Sequence, residues 1–483
     1  MMTSKELNNL GLPHDPQLMR LGMKLTNSVL AHVPDWTYAG KSGHEAMREA
    51  IRDLCVSPEH MADHETLGPL AKLFMELYPK GPDMTPRESP APWKQWGCME
   101  VEEEAVRQME KACLLPVTVR GALMPDAHTG YGLPIGGVLA VRNAVIPYAV
   151  GVDIACRMRL TVLDMPVERL STHREDFIAA IKQETRFGVG AAFEKEYRRD
   201  HPVMEEDWAV SPVTRVNRDK AWKQLGSSGG GNHFVEFGGL HLDEAARIGE
   251  RELTPGTYLA LLSHSGSRGT GEAVALHYSQ RAMSLHPDLP EELRRLAWLS
   301  LDREEGQEYW AAMQLMGRYA SANHELIHRH ILKALGCCAL THVENHHNFA
   351  WLEEHDGEQV VVHRKGATPA DKGRLGVVPG SMCSPAFVVR GKGREDALCS
   401  CSHGAGRLMS RAAAFRQFTQ EDLAAVLREN SVELLSAGLD ESPMAYKDIR
   451  AVMKAQQDLV DILAVFHPRL VKMAKSEARR KGR

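Results

Sequence analysis

Apolar positions in the first ninety residues recur at helical spacing, and HEAMREAIRDLCV and LGPLAKLFMELY both read as helices. A run rich in proline and glycine, PKGPDMTPRESPAPW, follows them and argues against regular structure. The spacing predicts a helical N-terminal extension over residues 1–90 and a second domain over 91–483. From Trp93 onward, short apolar runs such as GGVLAV and YLALLSHS alternate with glycine-rich turns. Segments such as LRRLAWLSL read as helices between them. This pattern predicts an α+β fold with a complex mixed sheet and with chemistry on loops at strand ends. After about residue 405 the chain reads as mostly helical. There DIRAVMKAQQDLVDILAVF places Ile449, Val452, Met453, Leu459, Ile462 and Leu463 roughly at helix spacing, as for a helix packed on the core.

Composition narrows the class without choosing a function. A chain of 483 residues can bury a large core and hold two or three domains. Its 43% hydrophobic and 25% charged residues are ordinary for a soluble enzyme. The net charge of -5 gives no global attraction to nucleic acid, so any such partner must meet a local basic groove. No uninterrupted apolar run is long enough to span a bilayer. The first residues, MMTSKELNNLGLPHDPQ, lack the apolar core of a signal peptide. Nine cysteines without framework spacing predict a reduced, cytoplasmic setting, with most of them small buried residues. The terminal KSEARRKGR reads as a solvated basic tail, with RNA or partner contact as the alternative.

The candidate chemistry lies in small-residue settings. His233 follows GSSGGGN, His264 sits in LLSHSGSRGTG, His347 in ENHHNFAW and His403 in SCSHGAGRLMSR. Asp153 and Cys156 are three apart in VGVDIACRM, so one turn can bring both to one ion. A buried thiolate beside a carboxylate is costly without a cation, and a borderline divalent metal compensates it. The competing reading is an aspartate capping a turn beside a small apolar cysteine. Asp126 and His128 in MPDAHTGYGLPIGG either support such ligands or stabilise a turn. Glycines around Ser227 and Ser228 let backbone approach a phosphate, with Asn232, His233 and Glu236 directly after. Ser265 and Ser267 offer hydroxyls and Arg268 a phosphate fork, or else a surface turn. Of the adjacent His346 and His347, the second is favoured because its HN pair mirrors the NH pair at 232. His403 is either a nucleophile toward phosphorus, with Arg407 holding the attacked phosphate, or a cap on a following helix.

The stretch from about Trp93 to Arg469 resembles the RtcB family of RNA-splicing ligases. The blocks MPDAHTGYGLPIGG, VGVDIACRM, GNHFVEF, HSGSRGTG, HNFAWLEEH, HRKGATPA, PGSM, HGAGRLMSR and DESPMAYKDI carry the resemblance, in order. It implies an RtcB-like fold with its active site in a central cleft. It also implies ligation of an RNA 3'-phosphate or 2',3'-cyclic phosphate to a 5'-hydroxyl, in RNA repair or tRNA splicing, using GTP and two Mn2+ ions. By that resemblance Asp153, Cys156, His233, His264 and His347 bind metal, and His403 becomes guanylylated. Nucleotide contact falls to Asn232, His233, Phe234, Val235, Glu236, His347, Asn348, Gly380, Ser381, Met382, His403, Gly404, Ala405, Gly406 and Tyr446. Arg268 falls where the family binds an RNA phosphate, and an activating protein partner stays open.

The chain departs from the family in two places. After PGSM it reads Cys383, Ser384 and Ala386 where glycine, a small hydroxyl residue and serine are usual. Met473 stands at the usual terminal lysine, leaving Lys472 or Lys475 to substitute. Two further readings stay in view: a metal-dependent phosphohydrolase or cyclic phosphodiesterase using activated water, and a non-catalytic RNA-binding relative.

Overall fold

The computed structural model describes residues 1–56, 58–77, 85–97 and 101–475. Part of the proline-rich run and the basic tail beyond Lys475 therefore lie outside the described residues. Among those described, no helix is long and apolar enough to cross a membrane. The chain forms two compact units, Met1–Pro86 with Leu299–Trp310, and Arg87–Trp298 with Ala311–Arg483.

The first unit is built on the helices Ser4–Asn9, Pro16–His32, Gly43–Val56 and Gly68–Leu77. Asp15 starts the second of these by accepting from the backbone N–H groups of Gln17 and Leu18, with Pro16 pre-set for the first turn. Leu7, Leu12, Leu18, Met47, Ile51, Leu54, Leu70 and Phe74 form its core. The segment Leu299–Trp310 joins it through a Lys5–Glu304 ion pair at 3.2 Å and an Arg303 bond to the Asn8 carbonyl at 3.4 Å.

The second unit contains an eight-stranded sheet. Its order is Ala339–His346, Arg157–Leu163, Gly256–Ser265, Phe234–Leu242, Val460–Met473, Ala386–Gly391 and Leu375–Val378, with Glu433–Ser436 pairing in parallel to Val460–Met473. Every other neighbour in it is antiparallel. Alternation along Gly256–Ser265 sends Leu259 and Leu261 to one buried face and Ala260 and Leu262 to the other. A five-stranded sheet runs Asn348–His355, Glu358–Lys365, Ile135–Val141, Thr118–His128 and Trp93–Gln95.

The mixed α+β architecture agrees with the sequence pattern, as do the helices Gly43–Val56 and Gly68–Leu77. Two expected helices are corrected. Residues 460–473, expected to be helical, form the 14-residue strand Val460–Met473, and only Ile449–Lys454 of that segment is helix. Val460, Val465, Phe466 and Val471 suit a pleated surface, and ladders on both flanks supply backbone partners that a helix would not need. Pro468 is tolerated because the ladder slips in register there. LRRLAWLSL contains only a short turn, Arg294–Leu296, and the strand Leu299–Ser300. Leu293, Leu296, Ala297, Trp298 and Leu299 are all buried, which an extended path allows and a one-sided helical stripe does not.

Candidate active site

Four neighbouring strands bring the predicted ligands to one end of the large sheet. Arg157 pairs with both Ser265 and His346, and His264 pairs with Phe234. The residues at or just beyond these positions are Cys156, His264, His347 and His233, so register alone gathers them. Asp153 joins through a tight turn in which the Cys156 N–H donates to its carbonyl at 3.1 Å and Ala155 takes a positive φ.

Cys156 Sγ lies 3.0 Å from His264 Nε2 and 3.4 Å from His233 Nε2. His264 Nε2 faces His347 Nε2 at 3.4 Å, and His233 Nε2 faces an Asp153 oxygen at 2.9 Å. Two donor groups emerge, Cys156–His264–His347 and Asp153–Cys156–His233, with the sulfur common to both. The His233 Nδ1 donates to the Ser228 carbonyl at 2.8 Å, and the His264 Nδ1 to the Asn232 carbonyl at 3.1 Å. In a neutral ring that leaves each Nε2 as a lone pair. Lone pairs, sulfur and carboxylate therefore converge with few protons among them. Burial, with the Asp153 carboxylate, pushes the Cys156 thiol well up, and burial holds His264 and His347 well below the usual imidazole range. Burial also works to raise Asp153, yet the hydrogen-bonding contact with His233 and the Arg268 charge leave it below the usual carboxylate range. A divalent cation would satisfy all these acceptors together, and its charge would favour the thiolate. The donor set fits a metal. His346 turns away and packs against Phe349 and Trp351.

His403 reaches this cluster through a small ladder. Ser400–Ser402 pairs with Ala367–Pro369, and the Ala367 N–H donates to the His347 carbonyl at 3.2 Å. The His403 and His347 rings stand 4.9 Å apart. His403 Nδ1 donates to Asp126 Oδ2 at 2.7 Å, and the backbone N–H groups of His403 and Gly404 donate to the same oxygen at 3.1 and 3.2 Å. Asp126 is fully buried; burial works to raise its carboxyl, but His403, His128 and Lys447 hold it below the usual range. With Nδ1 committed to the carboxylate, Nε2 is the nitrogen that a neutral His403 ring presents as a lone pair. It does not cap a helix: the next one, Arg411–Gln417, is capped by Ser410.

The residues expected to touch a nucleotide divide into groups. Glu236 is buried, its Oε2 has no partner among the described residues, and burial pushes its carboxyl well above the ordinary range. Phe234, Met382, Cys383 and Met473 pack together, and Ser381 Oγ lies 2.7 Å from Ser384 Oγ. Tyr446 donates to Glu441 and accepts from Arg407 at 3.1 Å. A cavity of about 200 Å³ is lined by Gly230, Gly231, Arg411, Asp440, Glu441 and Lys475. Asn232 is half-buried, whereas Gly380 donates to the Pro385 carbonyl and Ala405 is in the core. The Val235 side chain lies in the core of the opposite face. The Asn348 amide binds within the chain, to Gly366 N–H and the Asp153 carbonyl. The Ser265 and Ser267 hydroxyls likewise donate to the carbonyls of Ser228 and Ile154. Arg268, buried and at positive φ, donates to Ser227 Oγ at 3.2 Å.

Sequence reasoning left Asp126 between turn residue and metal support and did not pair it with His403; the two are 277 residues apart and no local signal links them. Lys447, whose Nζ donates to the carbonyls of Pro125 and Ala127, was missed for the same reason.

Comparison with known proteins bears on this arrangement. The family model "tRNA-splicing ligase RtcB" matches residues 108–474. The chain is 33% identical over 401 residues to the RNA-splicing ligase RtcB of Escherichia coli (strain K12), covering 77% of this chain and 95% of that protein. It is 30% identical over 423 residues to the tRNA-splicing ligase RtcB of Methanococcus maripaludis, covering 73% of this chain and 87% of that one. With Archaeoglobus fulgidus tRNA-splicing ligase RtcB it shares 31% over 437 residues, covering 75% and 88%. The match spans every residue of the histidine–cysteine–aspartate cluster and His403, and the chain therefore belongs to the RtcB family and is a ligase.

Proposed function

We propose that the protein is a GTP- and Mn2+-dependent RNA ligase, joining 3'-phosphate or 2',3'-cyclic phosphate ends to 5'-hydroxyl ends in RNA repair or tRNA splicing. The observation that carries this reading is His403, held through Nδ1 by buried Asp126 with its ring 4.9 Å from that of His347. A histidine whose Nδ1–H is anchored on a carboxylate presents Nε2 as a nucleophile and tolerates the positive charge that develops when it attacks. Asp153, Cys156, His233, His264 and His347 would hold the two Mn2+ ions. When bound, the ions supply positive charge that polarises the phosphates under attack.

His403 Nε2 attacks the α-phosphorus of GTP, an N–P bond forms, and pyrophosphate leaves. A 2',3'-cyclic end is first opened by water, which breaks the P–O2' bond and leaves a 3'-phosphate and a 2'-hydroxyl. The RNA 3'-phosphate then attacks the phosphorus held on His403, takes GMP and frees Nε2. Finally the 5'-hydroxyl attacks the RNA 3'-phosphorus and GMP departs. Arg268, beside Ser227, holds an RNA phosphate. The Glu236 carboxyl, whose Oε2 has no partner among the described residues, suits the N–H edge of guanine, close to Phe234. We assign this activity to residues 91–483 and place none of its chemistry in residues 1–90. The described cysteines carry no disulfide, which suits a reducing cytoplasm.

Labelled GTP with Mn2+ tests the reading directly. The wild type should form an acid-labile, hydroxylamine-sensitive GMP adduct and join 3'-phosphate RNA to 5'-hydroxyl RNA. His403→Ala should form no adduct, and neither His403→Ala nor Cys156→Ala should join. End hydrolysis without any adduct would instead support a phosphohydrolase.

A further inference from the structure

Behind the cluster, the helix Glu304–Leu335 presents Asn323, His324 and His328 to the strand end that carries His264, and all three are buried. Burial keeps both rings neutral, pulling His324 down to about 3 and His328 well below its usual range. Their hydrogen bonds then have one consistent assignment. The Ser265 carbonyl only accepts, so His324 donates to it from Nε2 at 3.2 Å. His324 Nδ1 accepts from the Ser263 hydroxyl at 2.7 Å, Ser263 Oγ accepts from His328 Nε2 at 2.8 Å, and His328 Nδ1 accepts from Thr161 at 2.7 Å. Four donors run in one direction and end beside His264.

Asn323 reaches further. Its Nδ2 donates to the Gly266 carbonyl at 2.9 Å, and its Oδ1 accepts the Gly226 N–H at 2.6 Å. Gly266 lies midway between His264 and Arg268, and Gly226 opens the loop that ends at His233. Gly266 also presses on the Asp153 carboxylate, where an added Cβ would come within 2.2 Å. One side-chain amide therefore joins two loops that carry His233, His264 and Arg268, and one of those loops abuts Asp153. The loops also touch directly, through the Ser265 hydroxyl on the Ser228 carbonyl, Arg268 on Ser227 and His264 on the Asn232 carbonyl. The amide adds to these a tie to the buried helix behind them, gripping both loops from one rigid side chain.

We propose that Asn323 is a positioning residue that sets the spacing of His233 and His264 and so the affinity of the site for metal, an inference resting on the metal reading above. Co2+ titration, followed by the thiolate-to-cobalt absorption band, reads the site without turnover. The wild type should bind Co2+ with that band; a wild type that binds none overturns the metal reading itself, and this inference with it. Asn323→Ala should weaken Co2+ binding by about 10–100-fold, the range for supporting groups around metal ligands. The isosteric Asn323→Asp keeps the acceptor for Gly226 but sets a carboxylate against the Gly266 carbonyl. It carries the same expectation should Asn323→Ala not fold. Thr214→Ala, which removes a buried hydroxyl bond to the Trp208 carbonyl elsewhere in the same unit, should lose stability yet keep wild-type Co2+ affinity. Raising Mn2+ should restore adduct formation to the Asn323 variants. Wild-type Co2+ affinity in both Asn323 variants, or equal weakening in Thr214→Ala, would overturn the proposal.

Discussion

One oxygen of Asp126 accepts from a ring nitrogen and two backbone N–H groups, while its other oxygen is buried with no partner among the described residues. Replacing it by asparagine keeps the volume but sets either an NH2 against three donors or a weaker, neutral acceptor in their midst. Asp126→Asn should slow adduct formation by about 10²–10⁴-fold at saturating GTP, the range expected when a positioned acid–base partner is lost. A wild-type rate would show that the carboxylate only braces the turn. Gly406 touches the same residue from behind: its φ is +73°, and an added Cβ would come within 2.1 Å of the Asp126 carbonyl. Gly406→Ala should lower the melting temperature and slow adduct formation, because backbone strain of about 1–3 kcal/mol would fall on the residue that orients His403. Both effects in parallel, in thermal melts and adduct assays, are the expected outcome. At this scale the sequence exposed the reactive residue types through their small, glycine-rich settings. It could not expose partnerships such as Asp126 with His403, which depend on chain segments meeting in space.

At the level of elements, the misread part is instructive. Ile449 to Leu463 has apolar positions that fit a helix, and periodicity alone does not distinguish that from a buried strand with apolar residues on both faces. Val460–Met473 is a strand because Phe234–Leu242 and Ala386–Gly391 lie ready on either side, a fact of topology outside the segment. The site depended less on such detail, since the ligands sit at strand ends whichever way distant segments fold. The strand Ala339–His346 is held at that end by Glu344, which bonds Arg157 and, at 2.6 Å, Arg159 on the neighbouring strand. Burial works to raise Glu344, but the charges of Arg157 and Arg159 and the Ser321 hydrogen bond bring it down to about 2. A carboxyl lowered on folding contributes stability above its unfolded value and loses it as pH falls through its folded value. Glu344→Gln should therefore be less stable than wild type at pH 7, by up to about 3 kcal/mol on a shift of that size. The gap should close between about pH 4.5 and 2. Urea unfolding across that range measures it, and a gap constant with pH would mean that packing, not charge, is what the substitution removes.

For the molecule as a whole, the pattern of the first ninety residues makes their helices legible but not the limits of the unit they build. Leu299–Trp310 belongs to that unit although more than two hundred positions separate it from Pro86, and nothing in its own apolar pattern announces the association. Within it, Glu304 pairs with Lys5, Arg303 binds the Asn8 carbonyl, and Tyr309 is fully buried. A chain cut to residues 87–483 keeps this segment and removes its partners, leaving buried groups without the packing that made their burial favourable. It should melt at lower temperature than the full chain and scatter more light on heating. No residue assigned to the ligase chemistry lies in the unit, so adduct formation per folded molecule, measured well below the melting transition, should stay near that of the full chain. Equal melting temperatures would show that Leu299–Trp310 stands without residues 1–86. Loss of the adduct in a well-folded truncation would instead place part of the catalytic machinery in the N-terminal helices.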